Sequence, residues 1–312
     1  MRLRESISTL YQNQTIENIV VTHGAIGANA LVHEAMVSEG DHVISICPTY
    51  QQHYSIPESY GAEVEILWLK PENNFLPDLI ELKSMLRSNT KLIVLNNPNN
   101  PTGALMMDEY LNNFIDVIAP SGAYVLCDEV YRGTNQEGTG FAPAMADIYD
   151  KGISVSSMSK VFSLAGIRLG WIAGPREVLE SVMIRRDYNT ISVGMIDDYF
   201  ASLALENKEK IIERSQNITR GNLKILDEWV LNEPSITYIK PKSGTTALLR
   251  YDLDMTSRDL CIQLLQNTGV MFTPGSVMEM EGWLRIGYAN NPQVLSSGLK
   301  LVGEFLSELR KR

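Results

Sequence analysis

The chain is poor in cysteine, short of basic residues and without long apolar runs, and each shortage removes a class of function. Three cysteines, Cys47, Cys127 and Cys261, stand far apart in 312 residues, with no CxxC or His-paired spacing. That excludes a disulfide framework and gives no sign of a metal site. Two of them close apolar runs, as buried core thiols do, and an odd, sparse count fits a reducing cytosol. Lys+Arg 27 against Asp+Glu 37 leaves a net charge of −10. Nucleic acid and anionic membrane both need a basic surface, so neither is expected as partner. A small anionic ligand stays open, because one pocket can be locally positive. No run approaches the ~18 apolar residues of a membrane span. Behind the charges of Met1-Arg-Leu-Arg-Glu-Ser6 there is no apolar segment, so the start is not read as a signal peptide. A cytoplasmic protein is expected, and neither an internal repeat nor a low-complexity linker is present.

What is there is an alternation. Hydrophobic residues at 44% and charged residues at 21% are ordinary for a globular protein, and 312 residues are enough for two domains. Short β-rich runs at 19–22, 42–47, 64–67, 91–95, 123–127, 153–156 and 169–173 alternate with helical stretches such as 28–38 and 78–87. Several runs lack polar alternation, as strands covered on both faces do. This predicts an α/β fold: a doubly wound, mostly parallel seven-stranded sheet with helices on both faces. After Asp197 the texture changes. Residues 198–231 read as helix interrupted near Gly221, followed by strand-like runs at 236–239, 246–250, 270–272 and 283–288 and helices at 257–266 and 292–310. The expected division is a large domain over 1–207 and a smaller C-terminal α+β domain, with its connecting helix, over 208–312.

In doubly wound sheets ligands gather at the carboxyl ends of the strands, and the residues there are unusual. His23-Gly-Ala-Ile-Gly27 follows the first run and leads into a helix. Such a turn presents free N–H groups to an anion, although backbone geometry alone also calls for glycine there. Pro48-Thr-Tyr50 follows the second run, where Tyr50 either stacks on a planar ring or packs internally. Asn96-Asn-Pro-Asn-Asn100-Pro101-Thr-Gly103 makes a rigid polar loop with Asn100 between two turns. Asp128-Glu-Val-Tyr131 ends an apolar run with a carboxylate, which is costly to desolvate unless a cation or donor meets it. Finally, Ser157-Met-Ser-Lys160 delivers a lysine, and Arg168 follows eight residues later. A lysine beside hydroxyls and a cation suits a carbonyl cofactor that carries a phosphate.

The joint pattern resembles the fold-type I pyridoxal-phosphate enzymes of the class I/II aminotransferase family, the aspartate aminotransferase superfamily. Asn99-Asn-Pro-Thr-Gly103, Asp128-Glu-Val-Tyr131, Ser157-Met-Ser-Lys160 with Arg168, and Trp283-Leu-Arg285-Ile carry the resemblance, in order and spacing, across nearly the whole chain. The resemblance implies pyridoxal 5′-phosphate as cofactor and Lys160 as the catalytic residue. Lys160 would form the Schiff base and shuttle the proton. Asp128 would pair with the pyridine nitrogen, Asn100 and Tyr131 would donate to the ring oxygen, and Tyr50 would stack on the ring. Gly24, Ala25 and Ile26 would cradle the phosphate, with Ser157 and Arg168 completing the cup. Arg285 would clamp the substrate α-carboxylate, and Asn189, within Asp187-Tyr-Asn189-Thr-Ile-Ser192, would contact the substrate.

The implied reaction moves an amino group from an α-amino acid to a 2-oxo acid, in a homodimer. Fold and cofactor residues do not choose between that and β/γ-elimination or cyclisation of a specialised amino acid. A catalytically inactive relative that serves as a binding protein is the third reading. The sequence also departs from the family. Its members usually carry a segment ahead of the motif resembling Leu3-Arg-Glu-Ser-Ile-Ser-Thr-Leu-Tyr11, which would supply a closing arm and a tyrosine for the neighbouring subunit's phosphate. His23 stands where relatives have a small or polar residue. A second carboxylate-binding arginine is not identifiable among Arg132, Arg185 and Arg186.

Overall fold

Four of the β-rich runs are buried along their whole length, so they must be covered on both faces. They are β1 (Ile19–Thr22), β2 (His42–Cys47), β6 (Gly152–Ser157) and β7 (Gly170–Ala173). The computed structural model describes residues 1–138 and 141–311. The chain opens with α1 (Arg2–Ser8), and α2 (Gly24–Met36) separates β1 from β2. Then follow α3 (Gln52–Ser59), β3 (Glu63–Trp68), α4 (Leu79–Met85), β4 (Thr90–Asn96), α5 (Asp108–Ile118), β5 (Tyr124–Asp128) and α6 (Met145–Ile148), which leads into β6. Beyond β7 run α7 (Arg176–Asn189), α8 (Met195–Glu206) and α9 (Lys208–Asn232). The remainder is β8 (Ile236–Tyr238), β9 (Thr246–Tyr251), α10 (Ser257–Thr268), β10 (Thr273–Pro274), β11 (Trp283–Gly287) and α11 (Pro292–Leu309).

Among the described residues the first seven strands form one sheet in the order β1-β7-β6-β5-β4-β2-β3. The neighbours from β3 across to β6 pair in parallel, while β7 runs antiparallel to both β6 and β1. Reversing β7 alone leaves the carboxyl ends of β1 to β6 on a single edge, where β7 begins. On one face α2 and α7 bury Leu31, Val32 and Val182 against Val94, Val155 and Ile172. On the other face α4 and α5 bury Leu82, Leu111 and Phe114 against Ile44, Ile93 and Val125. The second sheet is antiparallel, in the order β10-β11-β9-β8, and packs on α9, α10 and α11 through Leu226, Leu249, Leu264 and Leu299. No helix among the described residues is long and apolar enough to cross a membrane.

Three local expectations are corrected. The helical interruption falls at Asn207, between α8 and α9, and not near Gly221. One interior glycine costs a helix about 1 kcal/mol, which the packing of Leu223 and Leu226 outweighs over 25 residues. The strand expected at 270–272 lies at Thr273–Pro274. Gly269 ends α10 with φ 72°, and the chain uses the next three residues to reach β11, where Thr273 pairs Arg285. Pro274 fits this position because β10 is an edge strand. Finally, α2 begins at Gly24 and not at residue 28, so the glycine-rich turn is itself the first turn of the helix.

The N-terminal segment is tied to the sheet by one buried polar contact: the Trp171 indole N–H donates to the Tyr11 hydroxyl at 2.8 Å. Both side chains are buried, within a cluster that includes Leu3, Ile7 and Ala201. Tyr11→Phe leaves that N–H without its acceptor. It is expected to cost about 1–3 kcal/mol of unfolding free energy in denaturant titration; an unchanged midpoint would show that the contact contributes nothing.

Candidate active site

At the edge where β1 to β6 end, a cavity of about 550 Å³ opens between the two sheets. Asp128 lies at its floor as the last residue of β5, 7% exposed. Its carboxylate is held from several sides. Oδ1 accepts the Val130 N–H at 3.1 Å, Oδ2 accepts the Asn29 side-chain N–H at 2.9 Å, and His53 Nε2 lies 3.7 Å from Oδ2. The Asn96 side chain donates to the Asp128 backbone carbonyl and accepts the Asn100 N–H, both at 2.6 Å. The end of β5 is thereby locked to the loop after β4.

That loop explains its own asparagines. Asn97 exchanges two bonds with the Met106 backbone, and Asn99 donates to the Pro48 carbonyl while accepting from Thr102. Such side-chain-to-backbone bonds replace the ladder the chain has left. With those amides occupied by the frame, the Asn100 side chain faces the cavity. Its Oδ1 accepts from Arg285 Nη1 at 3.4 Å. Arg285 comes from β11 in the second sheet, where Nη2 also donates to its strand partner Thr273 at 3.2 Å.

Lys160 lies just beyond β6 on the cavity wall, exposed, with Nζ 5.7 Å from the centre of the buried Tyr131 ring. Ser157, Ala25, Ile26, Tyr50 and Arg168 line the same cavity, Tyr50 half-exposed at its mouth. Arg168 adopts a left-handed conformation, φ 49°, two residues ahead of β7, and its Nη1 donates to the Ala165 carbonyl at 2.7 Å. A Cβ on Gly24 would stand 2.8 Å from Arg168 Nη2, and one on Gly170 would stand 2.4 Å from Gly24 C and 2.6 Å from Ala25 N. Glycine at both positions lets the start of α2, the start of β7 and the guanidinium close around one small space.

Of the candidate residues, Ala25, Ile26, Tyr50, Asn100, Asp128, Tyr131, Ser157, Lys160, Arg168 and Arg285 all line this cavity, and Gly24 packs against Arg168. Asn189 does not line it. It is the exposed last residue of α7 and accepts from Thr190. Nor do the three uncertain arginines. Arg132 donates to the Leu10 and Ala142 carbonyls, Arg185 to those of Glu34 and Ser181, and Arg186 is held in α7. Sequence reasoning missed Asn29, Gln52 and His53. Each is a buried polar residue inside a helix, and helical spacing places Asn29 one turn after Ala25 on the cavity side.

A family model for class I and II aminotransferases matches residues 2–297. The chain belongs to that family. Pyridoxal 5′-phosphate is therefore its cofactor, and the fold is that of the fold-type I enzymes. The aminotransferase-family chain is 43% identical to a PLP-dependent aminotransferase from Streptococcus suis, superposes on it with a TM-score of 0.96, and covers 99% of its own length and 82% of that chain. It is 30% identical to capreomycidine synthase of Streptomyces vinaceus, over 98% of this chain and 78% of that protein. It is 28% identical to an aspartate aminotransferase of Pyrococcus horikoshii, over 97% of this chain and 80% of that one.

The residues present fit the cofactor. Its phosphate needs converging donors and positive charge, and the Gly24–Arg168 cradle that any Cβ would fill has helix N–H groups, the Ser157 hydroxyl and a guanidinium. Its ring nitrogen is most useful when protonated, and Asp128 offers a buried carboxylate in the same cavity.

The neighbouring Glu129 has a different task. It is buried, its Oε1 accepts the Met145 N–H and the Ser154 hydroxyl, each at 2.7 Å, and its Oε2 has no partner among the described residues. Burial pushes its carboxyl up to about 7, partly offset by Arg132. The folded chain therefore holds a proton here that the unfolded chain releases nearer 4.5. Stability from this group is full below about 4.5 and is lost as pH rises to about 7. Glu129→Gln is expected to flatten that loss, on the order of 3 kcal/mol, in unfolding curves taken across the window. Parallel curves for the two proteins would contradict it.

Proposed function

We propose that this enzyme is an aminotransferase that moves an amino group from an α-amino acid to a 2-oxo acid, with Lys160 as its catalytic residue. The supporting observation is that one cavity gathers the Lys160 amine, the buried Asp128 carboxylate and the Arg285 guanidinium from three separate elements. The bound cofactor supplies an electron sink for the charge left when a bond at the substrate α-carbon breaks. Lys160 would anchor the cofactor aldehyde and, once the substrate amine has displaced it, would take the substrate α-proton and deliver a proton back. Asp128 would hold a proton on the ring nitrogen. Asn100 would donate to the ring oxygen through Nδ2, since its Oδ1 is engaged by Arg285, and Tyr131 would donate beside it. The N–H groups of Gly24, Ala25 and Ile26 would bind the phosphate with Ser157 and Arg168. Tyr50 would stack on the ring, and Arg285 would grip the α-carboxylate with its planar fork.

The 30% identity to a synthase, capreomycidine synthase, favours a second reading: elimination or cyclisation of a specialised amino acid on the same residues. We place the enzyme in a homodimer and in the cytoplasm. The dimer is supported by an exposed apolar series along the end of α7 and the start of α8, including Ile184, Tyr188, Ile191, Met195 and Ile196. The cytoplasm is supported by three free, buried thiols.

The test is a donor and acceptor screen that reads both products. Transamination yields equal amounts of oxo acid from the donor and amino acid from the acceptor, and Lys160→Ala is expected to lower that yield by about a thousandfold or more. Full activity in Lys160→Ala would overturn the assignment, and product formation without any oxo-acid acceptor would select the second reading. Arg285→Gln is expected to raise KM for every α-amino acid by roughly 10–100-fold; an unchanged KM would remove Arg285 from the carboxylate site.

A further inference from the structure

The loop between β3 and α4 carries a strain that its backbone alone does not require. Asn74 and Phe75 both adopt the left-handed conformation, with φ 54° and 56°. Asparagine tolerates that region, but an aromatic residue enters it at a cost that glycine would avoid. The main chain closes the turn by itself. The Asn74 N–H donates to the Pro71 carbonyl at 2.9 Å, and the Phe75 N–H to that of Lys70 at 3.0 Å. What keeps an aromatic residue here is therefore the placing of its ring. Phe75 is 2% exposed and meets the Trp283 ring edge-on, 5.6 Å between centroids and 71° between planes.

Trp283 opens β11 two residues before Arg285, so the two side chains leave the strand on one face. Leu248 stands opposite Arg285 in register, on that same face. Trp283 and Leu248 share an apolar cluster with Phe75, Leu95 and Met106, whereas Leu284 and Ile286 belong to the cluster formed with α9, α10 and α11. The face that carries Arg285 is thus docked on the large domain. Phe75 also borders a small gap beside Asn96, Asn97 and Asn99, in the loop that presents Asn100. It therefore adjoins both the frame of Asn100 and the strand of Arg285.

The Asn100 and Arg285 side chains meet at 3.4 Å, the outer limit of a hydrogen bond, so that bond does not fix the guanidinium. The bond to Thr273 joins Arg285 to its own sheet and does not locate that sheet against Asn100. Packing between the two domains does. Neither Phe75 nor Trp283 lines the cavity that holds Asp128 and Lys160.

We propose that Phe75 is a positioning residue for Arg285: through the Trp283 ring it sets how far the guanidinium stands from Asn100, and with that its grip on the substrate carboxylate. The proposal rests on the reading in which Arg285 binds that carboxylate. Asp128, Lys160 and Arg168 belong to the first domain, so the contact acts on substrate and not on cofactor.

The test titrates the enzyme loaded with pyridoxal 5′-phosphate and reads the absorbance of the cofactor. The probes are L-alanine and L-phenylalanine, beside ethylamine and phenethylamine, which lack the carboxylate. The wild type is expected to bind each acid more tightly than its amine. Phe75→Leu, which keeps the position apolar and removes the ring, is expected to weaken both acids about tenfold. Both amines and the affinity for pyridoxal 5′-phosphate are expected to stay unchanged. Trp283→Leu is expected to do the same, while Trp283→Phe, which keeps an aromatic edge contact, retains the wild-type values. Added to Arg285→Gln, Phe75→Leu is expected to have no further effect. Unchanged acid binding in Phe75→Leu and Trp283→Leu overturns the proposal. So do equal losses for acids and amines, lost cofactor affinity, or an undiminished effect on top of Arg285→Gln. Equal binding of acid and amine by the wild type, or no loss in Arg285→Gln, removes instead the reading of Arg285.

Discussion

A carboxylate buried at the end of a β-strand is the constraint on which the rest of this structure depends. Asp128 cannot be ionised beneath a cavity unless its oxygens are met, because desolvation of an unpaired charge costs several kcal/mol. The chain meets them with the Val130 N–H and the Asn29 amide, and it locks the backbone at that point through Asn96. Those partners come from the turn after β5, from α2 and from β4. The ends of the strands are therefore registered to one another through a single carboxylate. A cation fits above it better than anything else, and that need is what the proposed cofactor chemistry uses.

The cradle beside Arg168 follows from close backbone approach. β7 runs against its neighbours, so its first residue arrives where β1 to β6 leave, and Gly170 allows it to touch the start of α2. Arg168, just ahead of it, is carried in by a left-handed residue conformation and packs over Gly24. Positive charge and helix N–H groups thus share one cavity with the Asp128 carboxylate. In the proposed reading, that pairing suits a molecule with one anionic end and one protonated ring nitrogen.

Much of this could be read from the residues alone. Short β-rich runs, several of them without polar alternation, marked the seven strands of the large sheet, and asparagine, aspartate, serine, lysine and arginine at their ends marked the cavity, because polar groups at the close of buried runs need a reason. The parts that could not be read are those decided by packing across the chain. Gly221 carries the same helix-breaking signal as Gly269, yet only Gly269 ends a helix, since Leu223 and Leu226 hold α9 together past Gly221. Asn29 and His53 look like ordinary helix residues until β5 places Asp128 between them. Asn189 lies in a stretch whose position relative to the cavity depends on how α7 and α8 pack, and within this chain it stays outside the lining.

Asp128 is proposed to act on the bound cofactor by keeping its ring nitrogen protonated. The direct measurement is the 15N chemical shift of the ring nitrogen in labelled pyridoxal 5′-phosphate bound to the enzyme. A shift typical of a protonated nitrogen at neutral and mildly alkaline pH is predicted. An unprotonated nitrogen at neutral pH would contradict the account at its centre.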